Sequence, residues 1–223
     1  MTGHSGARFF DAIAGRYDRV YALPTAESRR RMTRVLGELP DPPARVLDLG
    51  VGPGRELSAL LDAGYAPTGL DISPAMLEIC ARRARPVPLV EGDFWRPPLP
   101  FGDAAFDAAV ALHGTLAHPP SETVVNALAR ELGRVVRPGG RFIAEVPSMA
   151  WLDAAASSNV AADERRVLRT GKHTALFEDR VAGASIDVCL LDEPGWRKAL
   201  EPSWIARLLA LGPLEWLIVA DRV

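Results

Sequence analysis

The order of residues predicts an α/β fold, a doubly wound parallel sheet with helices packed on it. Three observations predict it. Short β-rich runs alternate with helical patterns between residues 45 and 146, the signature of βαβ units. The run 106–112 is almost wholly apolar, broken by Asp107, as befits a strand covered on both faces. A glycine-rich loop, Gly50-Val-Gly-Pro-Gly54, stands between the first such run and the next helical pattern.

The elements follow in order. Phe9, Phe10, Ile13, Tyr17, Val20 and Tyr21 recur at helical spacing. Met32, Val35, Leu36 and Leu39 give a second helix over 25–39, ended by Pro40, Pro42 and Pro43. Residues 45–49 are the first strand and 55–63 a helix. Residues 66–70 are the second strand, closed by Asp71. Ser73 and Pro74 are an N-cap and first-turn pair for a helix reaching about residue 85. Strands follow at 87–90 and 106–112. Val124, Val125, Leu128, Leu132, Val135 and Val136 mark a helix that stops at Pro138-Gly139-Gly140, and 141–146 is a fifth strand. The tail reads as a mobile helix over 154–170, a hairpin of 174–181 with 185–191, a segment at 204–211 that suits a helix or, better, a late strand, and a closing strand at 215–223.

Composition removes several classes. A chain of 223 residues, 48% hydrophobic and 24% charged, has ordinary globular proportions. Residues 1–20 lack the apolar stretch of a signal peptide and no run of 18 apolar residues occurs, so a cytoplasmic setting with no membrane partner is expected. Cys80 and Cys189 cannot make a disulfide framework, and no Cys/His cluster suggests a metal. With a net charge of -2 the chain has no broad phosphate-binding surface, and no nucleic-acid partner is expected. Its arginine clusters (29–31 with Arg34, 82–83 with Arg85, 165–166 with Arg169) fall among acids such as Glu27, Glu38, Asp163 and Glu164, and read as solvated helix faces.

The glycines of the loop let a backbone approach a ligand closely, and the helix beyond them offers free N–H groups. Asp71, at the end of the second strand, is placed to accept the two hydroxyls of a ribose. A dinucleotide fingerprint fails, because its third glycine falls on Arg55, or on Leu57 when counted from Gly52. A phosphate-binding G-K-[ST] fails too, since Lys occurs only at Lys172 and Lys198. A βα turn that binds nothing is the plain alternative.

Val46-Leu-Asp-Leu-Gly-Val-Gly-Pro-Gly54, Gly69-Leu-Asp-Ile-Ser-Pro-Ala-Met76, Glu91-Gly-Asp-Phe94, Leu99-Pro-Phe-Gly-Asp-Ala-Ala-Phe-Asp107 and Glu131-Leu-Gly-Arg-Val-Val-Arg-Pro-Gly-Gly140 appear in this order. Together they resemble the class I S-adenosylmethionine-dependent methyltransferases. Phe9-Phe-Asp-Ala-Ile-Ala-Gly-Arg-Tyr-Asp18 is similar to the start of many small-molecule members, the quinone-biosynthesis enzymes included. The resemblance implies a Rossmann-like, seven-stranded, mostly parallel sheet with helices on both faces, an antiparallel final strand and an N-terminal helical cap. It implies one domain, with the cap at 1–40, the cofactor core at 44–147, and a lid segment with closing strands at 148–223.

It also implies roles toward S-adenosyl-L-methionine. Gly50, Gly52 and Gly54 line the methionine and ribose, Asp48 organises the loop and meets the ammonium, and Asp71 takes the ribose hydroxyls. Ile72 and Met76 flank the adenine, Asp93 accepts from its amino group, and Phe94 adds a ring contact. Leu112 and His113 lie near the transferred methyl, and Tyr17 closes over the methionine end. The plain alternatives are turn carboxylates for Asp48, Asp71 and Asp93 and core packing for Tyr17 and Met76.

Methyl transfer is an in-line displacement that needs positioning first, and a base only where the acceptor loses a proton. His113 and His118 are the candidate catalytic bases, with Glu145 a third; simple pocket walls are the alternative. The expected acceptor is a small molecule, apolar or aromatic if Phe9, Phe10, Tyr17, Tyr21, Trp151, Phe177 and Trp196 wall the site. No acidic set after the fourth strand holds Mg²⁺, and His118-Pro119-Pro120-Ser121 lacks the [DNS]-P-P-[YF] signature of DNA amino-methyltransferases. A monomer or homodimer is expected. The rival functions are a catalytically silent S-adenosylmethionine-binding sensor or partner protein, and an RNA methyltransferase.

Overall fold

The structure is a computed structural model that describes residues 5–21, 24–83, 85–119, 121–157 and 164–223. In chain order the elements are α1 (Ser5–Ile13), a 3₁₀ turn (Ala14–Arg16), α2 (Tyr17–Tyr21), α3 (Thr25–Glu38), β1 (Arg45–Leu49), α4 (Leu57–Asp62), β2 (Ala66–Asp71), α5 (Pro74–Arg83) and β3 (Leu89–Glu91). They continue with β4 (Phe106–Ala111), a 3₁₀ turn (Thr115–Ala117), α6 (Glu122–Val135), β5 (Val136–Pro147), α7 (Met149–Ser157), β6 (Arg165–Arg169), β7 (Thr174–Asp179), β8 (Ala184–Cys189), α8 (Glu193–Leu200), β9 (Trp204–Ala210) and β10 (Glu215–Arg222).

Seven strands form one sheet in the order β3-β2-β1-β4-β5-β10-β9. β1 to β5 pair in parallel, and β10 runs antiparallel between β5 and β9. Alternation along the strands makes two cores. Leu47, Leu49, Ala109, Phe142 and Ile218 meet α6 and α8 on one face. Val46, Ala108, Val110, Ile143 and Leu217 meet α3 and α4 on the other. The order reverses between β1 and β4, and such a switch point leaves a crevice at the strand ends.

Above it, β6, β7 and β8 form a second, antiparallel sheet. α1 packs between this sheet and α5 through Phe9, Ile13, Met76 and Ile186. An ion pair and two hydrogen bonds fix the N-terminal segment. Arg16 bonds Asp179 at 2.5 Å, and Asp11 accepts from the Ser73 hydroxyl at 2.5 Å and from Ala75 N at 3.3 Å. Ser73 caps α5 as expected, its Oγ accepting from Met76 N at 3.1 Å.

Several expectations are corrected. The helix over 9–21 is broken by a 3₁₀ turn at Gly15, a residue with little helix preference. The helix after the glycine loop starts at Leu57, because Arg55 and Glu56 form a turn and send their side chains elsewhere. The third strand lies at 89–91, since Pro86 and Pro88 have no N–H for a ladder. The fifth strand begins at Val136, which pairs with Phe106 before a bulge; Gly140 sits where a Cβ would strike Asp107 O at 2.6 Å.

The predicted helix over 154–170 is wrong at its C-terminal end. Residues 158–163 lie outside the described residues, Asp163 among them, and Arg165–Arg169 is a strand paired with β7. The arginines of that cluster therefore stand on a sheet. α8 was not expected. Its signal was Asp192, whose Oδ1 caps Gly195 N at 2.9 Å, followed by Pro194 in the first turn. α8 buries Trp196 in the main core, so that residue is no site wall.

Candidate functional site

The crevice is built on the loop after β1. Gly50, Gly52 and Gly54 all have positive φ, at 64°, 51° and 76°, where a side chain is strained. Their surroundings differ. A Cβ at Gly50 would meet Thr115 Cγ2 at 2.6 Å, and one at Gly54 would meet Cys80 Sγ at 2.6 Å. A Cβ at Gly52 would meet only Gly50 O at 3.9 Å, so Gly52 presents bare backbone to open space. Asp71 braces the turn, its Oδ2 accepting from Gly52 N at 2.8 Å and its Oδ1 from Ser73 N at 2.9 Å.

Two adjoining clefts open here. The narrower is lined by Tyr17, Asp48, the loop and Thr115. The larger lies under α3 and is lined by Arg29, Arg31, Met32, Val35 and Glu145. Arg55, Glu56, Leu112 and His113 belong to both and form the wall between them.

Asp48 is 3% exposed, and its Oδ2 has no hydrogen-bond partner among the described residues. Burial, reinforced by the nearby Glu56 carboxylate, pushes its pKa well above the usual carboxylate range. Burial also pushes the Tyr17 phenol up to about 12. Arg55 lies 4.7 Å over the Tyr17 ring and bonds Asp18 at 2.9 Å and Tyr21 O at 2.9 Å, tying the cap to the loop.

His113, two residues past β4, is left-handed at φ 53° and is followed by Gly114 at φ 73°. Glu145 holds this turn. Its Oε2 accepts from His113 N at 2.9 Å, and its carbonyl accepts from Gly114 N at 3.2 Å. The His113 ring bonds Glu56 through Nε2, and its Nδ1 lies 4.0 Å from Glu145. Burial disfavours the charged ring, but the two carboxylates outweigh it and raise the His113 pKa. Burial raises the Glu145 pKa as well.

The structure thus gathers Tyr17, Asp48, Gly50, Gly52, Leu112 and His113 around one crevice, with Asp71 bracing it. It places the other predicted residues elsewhere. His118 lines neither cleft; its Nδ1 meets Asp187 O at 2.9 Å, its ring packs edge-on to Phe10, and burial lowers its pKa. Met76 and Phe94 are buried in the hydrophobic core. Asp93 makes a local turn, accepting from Trp95 N at 2.9 Å and pairing with Arg96 at 3.2 Å. Ile72 is half-buried beside Asp71. Phe9, Phe10, Tyr17, Tyr21 and Phe177 pack on one another under the second sheet, while the larger cleft sets Arg29, Arg31, Glu56 and Glu145 beside Met32, Val35, Ala59 and Leu112. Sequence reasoning missed Glu56 and Arg55. Their only signal was position, directly after the third glycine.

The sheet order, the reversed β10 and the glycine loop define a class I methyltransferase fold, and residues 46–140 match the family model described as a methyltransferase domain. The chain is similar to the demethylmenaquinone methyltransferase of Mycolicibacterium vanbaalenii, 39% identical over 145 residues, or 63% of this chain and 59% of that protein. It therefore spans less than two thirds of that relative's length. Among solved structures it resembles the PH0226 protein of Pyrococcus horikoshii, with a TM-score of 0.74, 22% identity and 93% and 98% of the two chains covered. It also resembles the S-adenosylmethionine-bound CalS10 of Micromonospora echinaspora, an amino pentose methyltransferase, with a TM-score of 0.67, 19% identity and 93% and 96% covered.

Proposed function

We propose that this protein is an S-adenosylmethionine-dependent methyltransferase acting on a small molecule. The observation that carries the reading is Asp48: a buried carboxylate with an unpartnered oxygen, facing a cleft whose floor is the bare backbone of Gly52. Leaving such a group unsatisfied is costly, and the ammonium of a methionine moiety would complete it. The demethylmenaquinone and amino pentose enzymes it resembles support a small-molecule acceptor.

The bound cofactor supplies a methyl group already activated by a sulfonium. The chain's residues do the rest. Asp48 holds the ammonium, the Gly50–Gly54 backbone approaches the methionine and ribose, and Asp71 takes the ribose hydroxyls with the lone pairs that Gly52 and Ser73 leave free. Ile72 flanks the adenine. Tyr17, pressed down by Arg55, closes the methionine end. Leu112 and His113 stand on the wall toward the larger cleft, where the acceptor is bound, and holding the two reactants in line supplies the main acceleration. Calorimetry with S-adenosylhomocysteine tests the cofactor, and release of that product with a panel of acceptors tests turnover. Absence of binding refutes the reading.

A further inference from the structure

We propose that Glu56, His113 and Glu145 act as one proton-accepting unit for the transferred methyl's acceptor, with Glu56 fixing the imidazole tautomer and Glu145 positioning the ring. This rests on the methyltransferase reading and deepens it. The geometry is specific. A non-glycine residue is held left-handed at the strand end, at the wall that both clefts share, and Glu145 binds both the His113 and the Gly114 N–H groups that define that turn. Residues kept in this region persist only where their surroundings over-determine them. Glu56 accepts from Nε2, which leaves Nδ1 as the ring's basic nitrogen, and Glu145 lies 4.0 Å from it. A carboxylate that orients one ring nitrogen while the other takes a proton is the logic of an oriented histidine base.

The step balances. The acceptor's X–H bond breaks and its electron pair forms the new X–CH₃ bond. The C–S bond breaks and its pair stays on sulfur, which becomes a neutral thioether. The proton passes to His113 Nδ1. One positive charge leaves the sulfonium and one appears on the imidazolium, beside Glu145. The acceptor class follows: a hydroxyl, an amine or an acidic carbon that must lose a proton, with no metal required to acidify it.

The charged and titratable groups around the ring are Glu56 and Arg55 before α4, Glu145 on β5 and Asp48 on β1. Tyr17 shares the narrower cleft, and Arg31 faces Glu145 from α3, itself paired with Glu27 and Glu215. Arg31 bonds Glu27 and Glu215 directly and reaches Glu145 only through its charge, whereas His113 N bonds the Glu145 carboxylate.

The test is a titration of the His113 imidazole by NMR in the full-length wild type, Glu56→Gln and Glu145→Gln proteins, with calorimetry of S-adenosylhomocysteine run on the wild type. The wild-type ring should titrate above its ordinary value, and each variant should lower it by about 1–3, the effect of an opposite charge at this range. With the best acceptor from a panel of phenols, hydroxyquinones and amino sugars, turnover should rise with pH along a limb that follows the ring. That limb should move to lower pH in Glu145→Gln, and His113→Gln should lose about 10²–10⁴-fold in kcat. A ring that titrates at the same pH in all three proteins overturns the proposal, as does a limb that stays in place while the ring moves. Loss of calorimetric binding would instead strike the cofactor reading and leave the titration to be judged by itself.

Discussion

Gly54→Ala puts the loop geometry to a quantitative test. At φ 76° any L side chain is strained, and the cost of the left-handed conformation is about 1–2 kcal/mol. The new methyl would also lie 2.6 Å from Cys80 Sγ and 3.3 Å from Leu57 Cδ1, both on fully buried side chains. Overpacking of that kind costs about 1–3 kcal/mol. The sum, about 2–5 kcal/mol, lowers Tm by roughly 4–20 °C for a chain of this length. Gly52→Ala carries the backbone cost alone, because its methyl would meet nothing closer than 3.9 Å. It should lose only a few degrees while removing the cofactor's access to the backbone. The assay is thermal unfolding of both variants, of Cys80→Ala, and of the Gly54→Ala/Cys80→Ala pair. The pair should be less destabilised than the sum of its parts by about 1 kcal/mol or more. Additive effects, or a Gly54→Ala Tm at or above wild type, would refute the close approach.

Asp48→Asn should raise Tm at pH 8 while weakening S-adenosylhomocysteine, since a buried acid whose folded pKa is raised makes stability fall as pH climbs from its unfolded to its folded value. Unfolding curves with and without the ligand check both halves. Asp107 behaves in the opposite sense. Arg45 and then Arg137 hold its carboxyl far below the usual range, so its contribution is full above pH about 4 and is lost as pH falls through the depressed value. Asp107→Asn should cost about 1–2 kcal/mol in urea unfolding at pH 7, a difference that narrows in acid. Arg55→Ala removes the ring contact with Tyr17 and the bonds to Asp18 and Tyr21 O, so limited proteolysis within residues 14–21 should accelerate and ligand affinity should drop.

Much of this was legible in the residues. The parallel strands were found because buried strands read as unbroken apolar runs, as at 106–111, and the glycine loop because its spacing excludes the dinucleotide and phosphate-binding alternatives. The tail was harder for a physical reason. Arg165-Arg-Val-Leu-Arg169, preceded by Asp163 and Glu164, reads as a charged helix face, yet it lies against β7 and answers to cross-strand pairing, which no local pattern reports. α8 announced itself only by Asp192 and Pro194. In the candidate site, Asp48 and Asp71 stand in the quoted motifs and Tyr17 and His113 come from the resemblance, whereas Glu56 enters through a partner 57 residues away. His118 could not be told from His113 on sequence, since both follow β4. What separates them is that Glu145 turns the chain so that His113 faces the crevice, while His118 bonds the second sheet.

The most direct measurement is isothermal calorimetry of the wild type and Asp48→Asn with S-adenosylhomocysteine, using NADPH as the counter-ligand. Saturable one-site binding of S-adenosylhomocysteine and none of NADPH is expected. Asp48→Asn should lose about 10–100-fold in affinity, the worth of a charged hydrogen bond made in a buried cleft. No binding, or binding that Asp48→Asn leaves unchanged, would contradict the proposed function.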